Sequence, residues 1–370
     1  MSSHAPGALQ QPTPLPIYQP PADGHDEMCH PDGEVRGHWA YLLRALSAMG
    51  VEALQVRCNE ARRLLRDNGV TYSAYDEPAQ RQRAWELDPI PLLIASEEWR
   101  GIERGLLQRA ELFRLLLADL YGPREVLRRG LLPAELIFSQ PGFLRPCDRL
   151  LPADGHHWLP LYAADLLRLP DGSMTVVEDR SQAPPGMGYA LENRVVLSRV
   201  FPSLFRDAQV HRLALFFRTL RASLMNLAWC QPDQARVVML SPGPDSGMYF
   251  EHAFMAKYLG YTLVQGADLT VRDARVWLKT LDGLQPVDVI LRFLEDGRCD
   301  PLELRADGSG PAGLLQALRL RQVSMANPLG SGVLENPALK VYLPGLARYL
   351  LGEDLLLPSP ESFWCGESAA

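Results

Sequence analysis

The chain has 370 residues, 47% of them hydrophobic and 22% charged, with a formal net charge of −7. An acidic balance without a basic stripe argues against a general nucleic-acid or anionic-membrane binder, and no run of about 18 apolar residues is present to span a bilayer. Six scattered cysteines without a CxxC pair fit reduced thiols better than a disulfide framework or a zinc site. With no basic, apolar leader at the start, the expected location is the cytoplasm.

In chain order, residues 1–22 are rich in Pro, Gln and Ser and predict a disordered tail. Residues 23–150 predict a helical region. In its longest helix Trp99, Ile102, Leu106, Leu112 and Leu116 share one broad face, and Glu97, Glu98, Arg100, Glu103, Arg104 and Arg109 fall mainly on the other. Gly122-Pro123 ends it.

Residues 151–200 hold a hairpin segment. "AADLLRL" and "SMTVVED" flank Pro170-Asp171-Gly172, and Asp-Gly is a strong hairpin turn. An even-numbered loop pairs Leu169 with Met174, Leu167 with Val176 and Asp165 with Glu178. Both carboxylates then continue the apolar stripe of Leu167, Leu169, Met174 and Val176. A three-residue loop would break this match.

Residues 201–366 alternate strand and helix. A helical stretch from about 189 to 228 leads into a buried strand at Val237 to Leu240. A glycine-rich turn follows, then a helix from Tyr249 to Leu259 capped by Gly260. A short hairpin, a second buried strand at Val287 to Leu291, a helix, a further strand and a Gly-rich loop complete the pattern. This predicts an α/β layer with a partly parallel sheet, so the whole is α/β with a helical N-terminal region.

Four stretches can carry chemistry. Asp165 and Glu178, face to face, repel unless something lies between them. A hard divalent cation such as Mg²⁺ would serve, and an exposed hairpin end with solvated acids is the alternative. "SPGPDSGMYFEH" (241–252), between strand and helix, suits an anion or is a plain connection; it lacks the P-loop and dinucleotide fingerprints. Residues 291–305 mix Arg292, Glu295, Asp296, Asp300 and Glu303, which also suits a solvated loop. Gly330-Ser331-Gly332 permits close backbone approach to a ligand or a tight turn. "HDEMCH" (25–30) and His156-His157 offer poor metal spacing, and no GxSxG elbow is present.

These stretches, with "EDRSQAPPGMGYALENRVVLSRVFP", "CDPLELR", "LGSGVLENPAL" and "FWCG", resemble the circularly permuted ATP-grasp proteins related to glutathionylspermidine synthetases. The likeness runs from about residue 24 to residue 366. It implies a helical region, the β-hairpin part of the ATP-grasp core and a preceding Rossmann-like α/β domain. It also implies an ATP-dependent carboxylate–amine ligase that works through an acyl phosphate, with ATP and Mg²⁺ as cofactors. By the same resemblance Asp165 and Glu178 are metal ligands, and Arg180 and Arg292 stabilise phosphoryl charge. Gln182 and Ser331 would touch the cofactor. Asn193, Arg194, Tyr249, Glu251 and His252 would shape the pocket for carboxylate and amine substrates.

The chain departs from the family pattern in several places. Arg180 stands where an asparagine ligand is expected, Ser246-Gly247 where Asn-Glu is, and Phe293 where a second arginine is. Only Lys257, Lys279 and Lys340 are lysines, and none has the context of the nucleotide-binding one. The expectation is therefore a front portion of the enzyme whose ATP clamp comes from further sequence or a partner chain. The alternative is a non-catalytic binding or scaffolding subunit.

Overall fold

The computed structural model describes residues 18, 20–21, 24–72, 83–150 and 159–366. The expected tail lies almost wholly outside these residues, as do His156 and His157. In the "HDEMCH" stretch Asp26 accepts the backbone N–H groups of Met28 (2.9 Å) and Cys29 (2.6 Å), which makes it a turn cap.

The N-terminal half is helical. It contains α1 (Gly37–Met49), α2 (Val51–Asp67), the small strands β1 (Thr71–Tyr72) and β2 (Arg83–Ala84), α3 (Ser96–Leu120), α4 (Glu125–Arg128) and α5 (Ala134–Phe138). In α3 Leu112, Phe113, Leu116, Leu117 and Leu120 are sealed from solvent, as the three- and four-residue spacing dictates. Two expectations for this helix are corrected. Trp99 is 40% exposed, and Arg109 lies on the buried face at 0%, because a carboxylate from another element meets it there.

The hairpin is β3 (Ala163–Arg168) and β4 (Met174–Arg180), followed by α6 (Met187–Val200), α7 (Pro202–Asp207) and α8 (Ala214–Asn226). The α/β unit then runs β5 (Val237–Leu240), α9 (Tyr249–Leu259), β6 (Thr262–Val264), the antiparallel meander β7 (Leu269–Arg272), β8 (Arg275–Thr280) and β9 (Gly283–Pro286), β10 (Val289–Arg292), α10 (Leu314–Arg319), β11 (Ser324–Ala326) and α11 (Leu339–Leu350). The meander has one strand more than the expected short hairpin. Gly260 ends α9 with φ 73°, the left-handed conformation that glycine adopts without steric cost.

Strands β11, β10, β5 and β6 form a parallel four-stranded sheet in that spatial order. Every residue of β5 and β10 is buried, as befits strands covered on both faces. Val238, Leu240 and Ile290 join the core built with α3, α10 and α11. Val237, Met239, Val289 and Leu291 join the second core with α8 and α9. From β5 the chain passes through α9 to β6 on one side, and from β10 through α10 to β11 on the other. The order therefore reverses between β5 and β10, and the crevice beyond the carboxyl ends at such a switch point is where open α/β sheets take ligands.

Candidate functional site

The carboxyl edge of the parallel sheet is where the hairpin arrives. Asp165 pairs with Glu178 across β3 and β4, as the turn chemistry predicted. The inner pairs differ. Arg168 faces Met174, Leu167 faces Thr175 and Leu166 faces Val176, with a bulge before Asp165–Glu178. Val177 is the extra residue, and the Lys340 ammonium donates to its carbonyl.

A one-residue slip moves side chains to the other face. Leu166 and Val176 therefore turn into a small core with Ile102 and Leu357, while Leu167 is 49% exposed. The expected stripe is corrected accordingly. Asp165 and Glu178 do not continue the apolar row but occupy the opposite, exposed face.

Arg180 lies between them. Its Nε and Nη2 donate to Asp165 Oδ2 at 3.1 and 2.8 Å, and its Nη2 to Glu178 Oε2 at 2.6 Å. These side chains are 40, 50 and 57% exposed for Arg180, Asp165 and Glu178 respectively. Burial works to lower the Arg180 pKa, but the bond to Asp165 and the charges of Asp165, Glu178 and Glu335 raise it on balance.

Asp179, between those two residues, points the other way. It receives the Nε and Nη2 of Arg109 at 2.7 to 3.1 Å and the Tyr162 hydroxyl at 2.5 Å. Arg109 also donates to the Leu357 carbonyl at 3.1 Å. Burial opposes the charge on Arg109, and the bonds to Asp179 more than restore it, so its pKa is raised.

The chain leaving β4 is tied to the sheet edge. The N–H groups of Ser181 and Gln182 both donate to Glu335 Oε1 at 2.7 Å. Gln182 Oε1 accepts the Asp296 N–H at 2.6 Å, and Ser181 Oγ donates to the Ser331 carbonyl at 2.8 Å. Asn327, just after β11, donates to the Ser181 carbonyl at 2.6 Å and brackets the Leu161 peptide. Gly332 is needed here, since a Cβ would stand 2.8 Å from the Asp296 carboxylate.

Arg292 and Ser331 form the floor of this junction. Arg292 donates through all three nitrogens, to the Asn327, Leu294 and Pro328 carbonyls, the Asp296 carboxylate and Ser331 Oγ. Its side chain has 0% exposure, and Ser331 is likewise sealed. In this arrangement both hold loops in place. Burial raises the pKa of Asp296, against the pull of Arg292 and of the Gly332 and Gly330 amides.

On the α9 side Tyr249 is half-buried at the first turn. Glu251 is fully buried and accepts the Gly186 and Gly188 N–H groups on Oε1 at 2.7 and 2.8 Å. It thereby caps α6, and burial raises its pKa. His252 stacks on Phe293, with ring centroids 4.4 Å apart, and its Nδ1 lies 3.0 Å from Ser241 Oγ. That oxygen also accepts the Gly243 N–H at 3.1 Å. Burial pushes the His252 pKa down to about 4.

Asn193 and Arg194 turn elsewhere. Asn193 accepts the Trp85 indole N–H at 2.9 Å, and Arg194 lies over the Phe205 ring at 5.5 Å, where burial lowers its pKa. Their partners belong to the helical layer, not to the hairpin junction.

The acidic pair does not fit a resident Mg²⁺ as arranged. Both carboxylates are bonded to Arg180. Among the described residues no group of three or more His, Cys, Asp or Glu is placed to hold a metal ion.

The sequence profile described as circularly permuted ATP-grasp type 2 matches residues 91–370. An uncharacterized protein of Mycobacterium tuberculosis is 39% identical over 97% of this chain and 42% of its own length. A second one from that organism is 35% identical over 92% of this chain and 61% of its own length. An uncharacterized protein of Synechocystis sp. is 34% identical over 93% and 72%. This chain thus spans well under half the length of the first of these relatives. A glutathione synthetase-like effector from Globodera pallida, 12% identical, superposes over 81% of this chain and 68% of its own with a TM-score of 0.48, too distant a likeness to bear on function.

Proposed function

Because the chain belongs to the circularly permuted ATP-grasp type 2 family, we propose that it forms part of an ATP-dependent carboxylate–amine ligase. In that chemistry ATP phosphorylates a carboxylate, and an amine displaces phosphate from the resulting acyl phosphate. One observation carries the reading. The exit of the hairpin is bonded to the loops that follow β10 and β11, beside the switch point of the parallel sheet.

The chain's own residues take the following parts. The 241–248 loop and Tyr249 line the acceptor side. His252, whose pKa burial pushes down to about 4, presents a neutral imidazole beside that loop at neutral pH. Glu251 holds the start of α6 against that loop. Arg292 and Ser331 fix the floor, and Gln182 lies at the rim where a nucleotide would approach. We further propose that residues closing over the nucleotide come from the additional length carried by the relatives, in the same polypeptide or a partner.

Calorimetric titration with Mg-ATP tests this. It is run on the chain alone and together with the remaining portion of the longer mycobacterial relative. Saturable heat in either case supports the ligase reading, and none in both counts against it. The bonding of Arg180 to both acids favours one second reading, a non-catalytic binding subunit. That reading expects no phosphate release from ATP with any carboxylate and amine, even where nucleotide binds.

A further inference from the structure

We infer that Arg180 is the hairpin's resident cation: its guanidinium holds the place between Asp165 and Glu178 that a divalent ion would need, so this hairpin has no affinity of its own for Mg²⁺ or Mn²⁺. The inference concerns the hairpin alone and is independent of the ligase reading, because its readout is ion binding and not turnover.

The backbone sets this up. Arg180 and Glu178 are two residues apart on β4, beyond the bulge, and so share a face. Opposite Arg180 stands Ala163, whose methyl group leaves the space above it open. The guanidinium therefore folds diagonally over the pair, reaching Asp165 with two nitrogens and Glu178 with one.

Two opposed carboxylates on neighbouring strands repel, and a fixed positive charge between them removes that cost. An arginine cannot give up its proton to make room. An incoming cation would have to break all three N–H···O contacts. It would also sit beside a like charge tethered to the same strand. Mg²⁺, which sheds its water shell reluctantly, is a poor competitor under those terms. The ligand set left to it would be only two carboxylates, since no third His, Cys, Asp or Glu is grouped with them among the described residues.

Manganese binding, read by electron paramagnetic resonance of free Mn²⁺ and by calorimetry, decides the matter. The samples are the full chain, Arg180→Asn, Arg180→Gln and Arg180→Asn with Asp165→Asn. A urea midpoint for each verifies that it is folded. The expected result is no saturable binding by the unsubstituted chain at millimolar Mn²⁺. Arg180→Asn and Arg180→Gln should bind at least about tenfold more tightly, and the added Asp165→Asn should abolish that gain. If the unsubstituted chain binds as tightly as both single variants, or if a gain survives Asp165→Asn, Arg180 is not the resident cation. If neither folded single variant gains affinity, the inference also fails.

Discussion

Glu178, Asp179 and Arg180 are consecutive on β4, yet the two faces of that strand use the same chemistry to different ends. On the inner face Asp179 meets Arg109 through three N–H···O contacts, sealed from solvent. On the outer face Arg180 meets Asp165 and Glu178 through three contacts of similar length, with all the partners 40–57% exposed. Distance does not separate them; burial does. In the interior neither charge can recover water if its partner is lost, so the bond becomes part of the fold. At the surface water replaces either partner, and the same bond becomes exchangeable.

The comparison can be broken most forcefully at Arg109. Arg109→Ala leaves the Asp179 carboxylate buried without its counter-ion and should cost about 3–5 kcal/mol in urea unfolding. A loss no larger than that of a surface variant would remove the distinction.

Next in size is a buried titration on α9. The folded-state pKa of His252 is depressed from 6.5 to about 4, so the folded chain binds fewer protons than the unfolded one between those values. Stability should then rise with pH across that window, by roughly 3 kcal/mol at most. His252→Gln should flatten that part of the profile. Glu251 works in the opposite sense. Its pKa is raised by burial, so its contribution is full below the ordinary carboxylate value near 4.5 and is lost as pH rises through the folded value. Glu251→Gln, which keeps an acceptor for the Gly186 and Gly188 amides, should therefore steepen the rise. Unfolding midpoints between pH 4 and 7 check both signs.

The smallest effect belongs to the outer face. Arg180→Ala should cost no more than about 1 kcal/mol, and less as salt is added. A loss of several kcal/mol that salt does not reduce would mean that the outer triad is as structural as the inner pair.

Much of the frame was legible from local signals. The strand at Val237 to Leu240, the helix from Tyr249 to Leu259 and its Gly260 cap follow from an apolar run, a helical period and one residue suited to positive φ. The Asp165–Glu178 pairing was legible too, but for an incomplete reason. The loop runs from Leu169 to Ser173, which slips the inner pairs by one, and the bulge at Val177 slips the outer pairs back. The two offsets cancel, and no local residue pattern marks the second. What lay between the acids was visible only as the identity of residue 180.

Arg109–Asp179 was not legible, because its halves are 70 residues apart and an arginine on a helix reads as solvated. The same holds for Glu335, which binds two amides from 153 and 154 residues away. Arg292 was visible as a charge at the end of a buried strand. Its inward use depends on the loops after β10 and β11, which only the fold brings together.

β4 meets a fixed arginine, Arg109 of α3, on its inner side and carries an exchangeable one, Arg180, on its outer side. Solvent exchange of the arginine Nε protons, followed by nitrogen-15 nuclear magnetic resonance, separates the two. The expected result is a slowly exchanging Arg109 Nε–H and a rapidly exchanging Arg180 Nε–H. Equal protection of both protons would contradict this difference between the two faces.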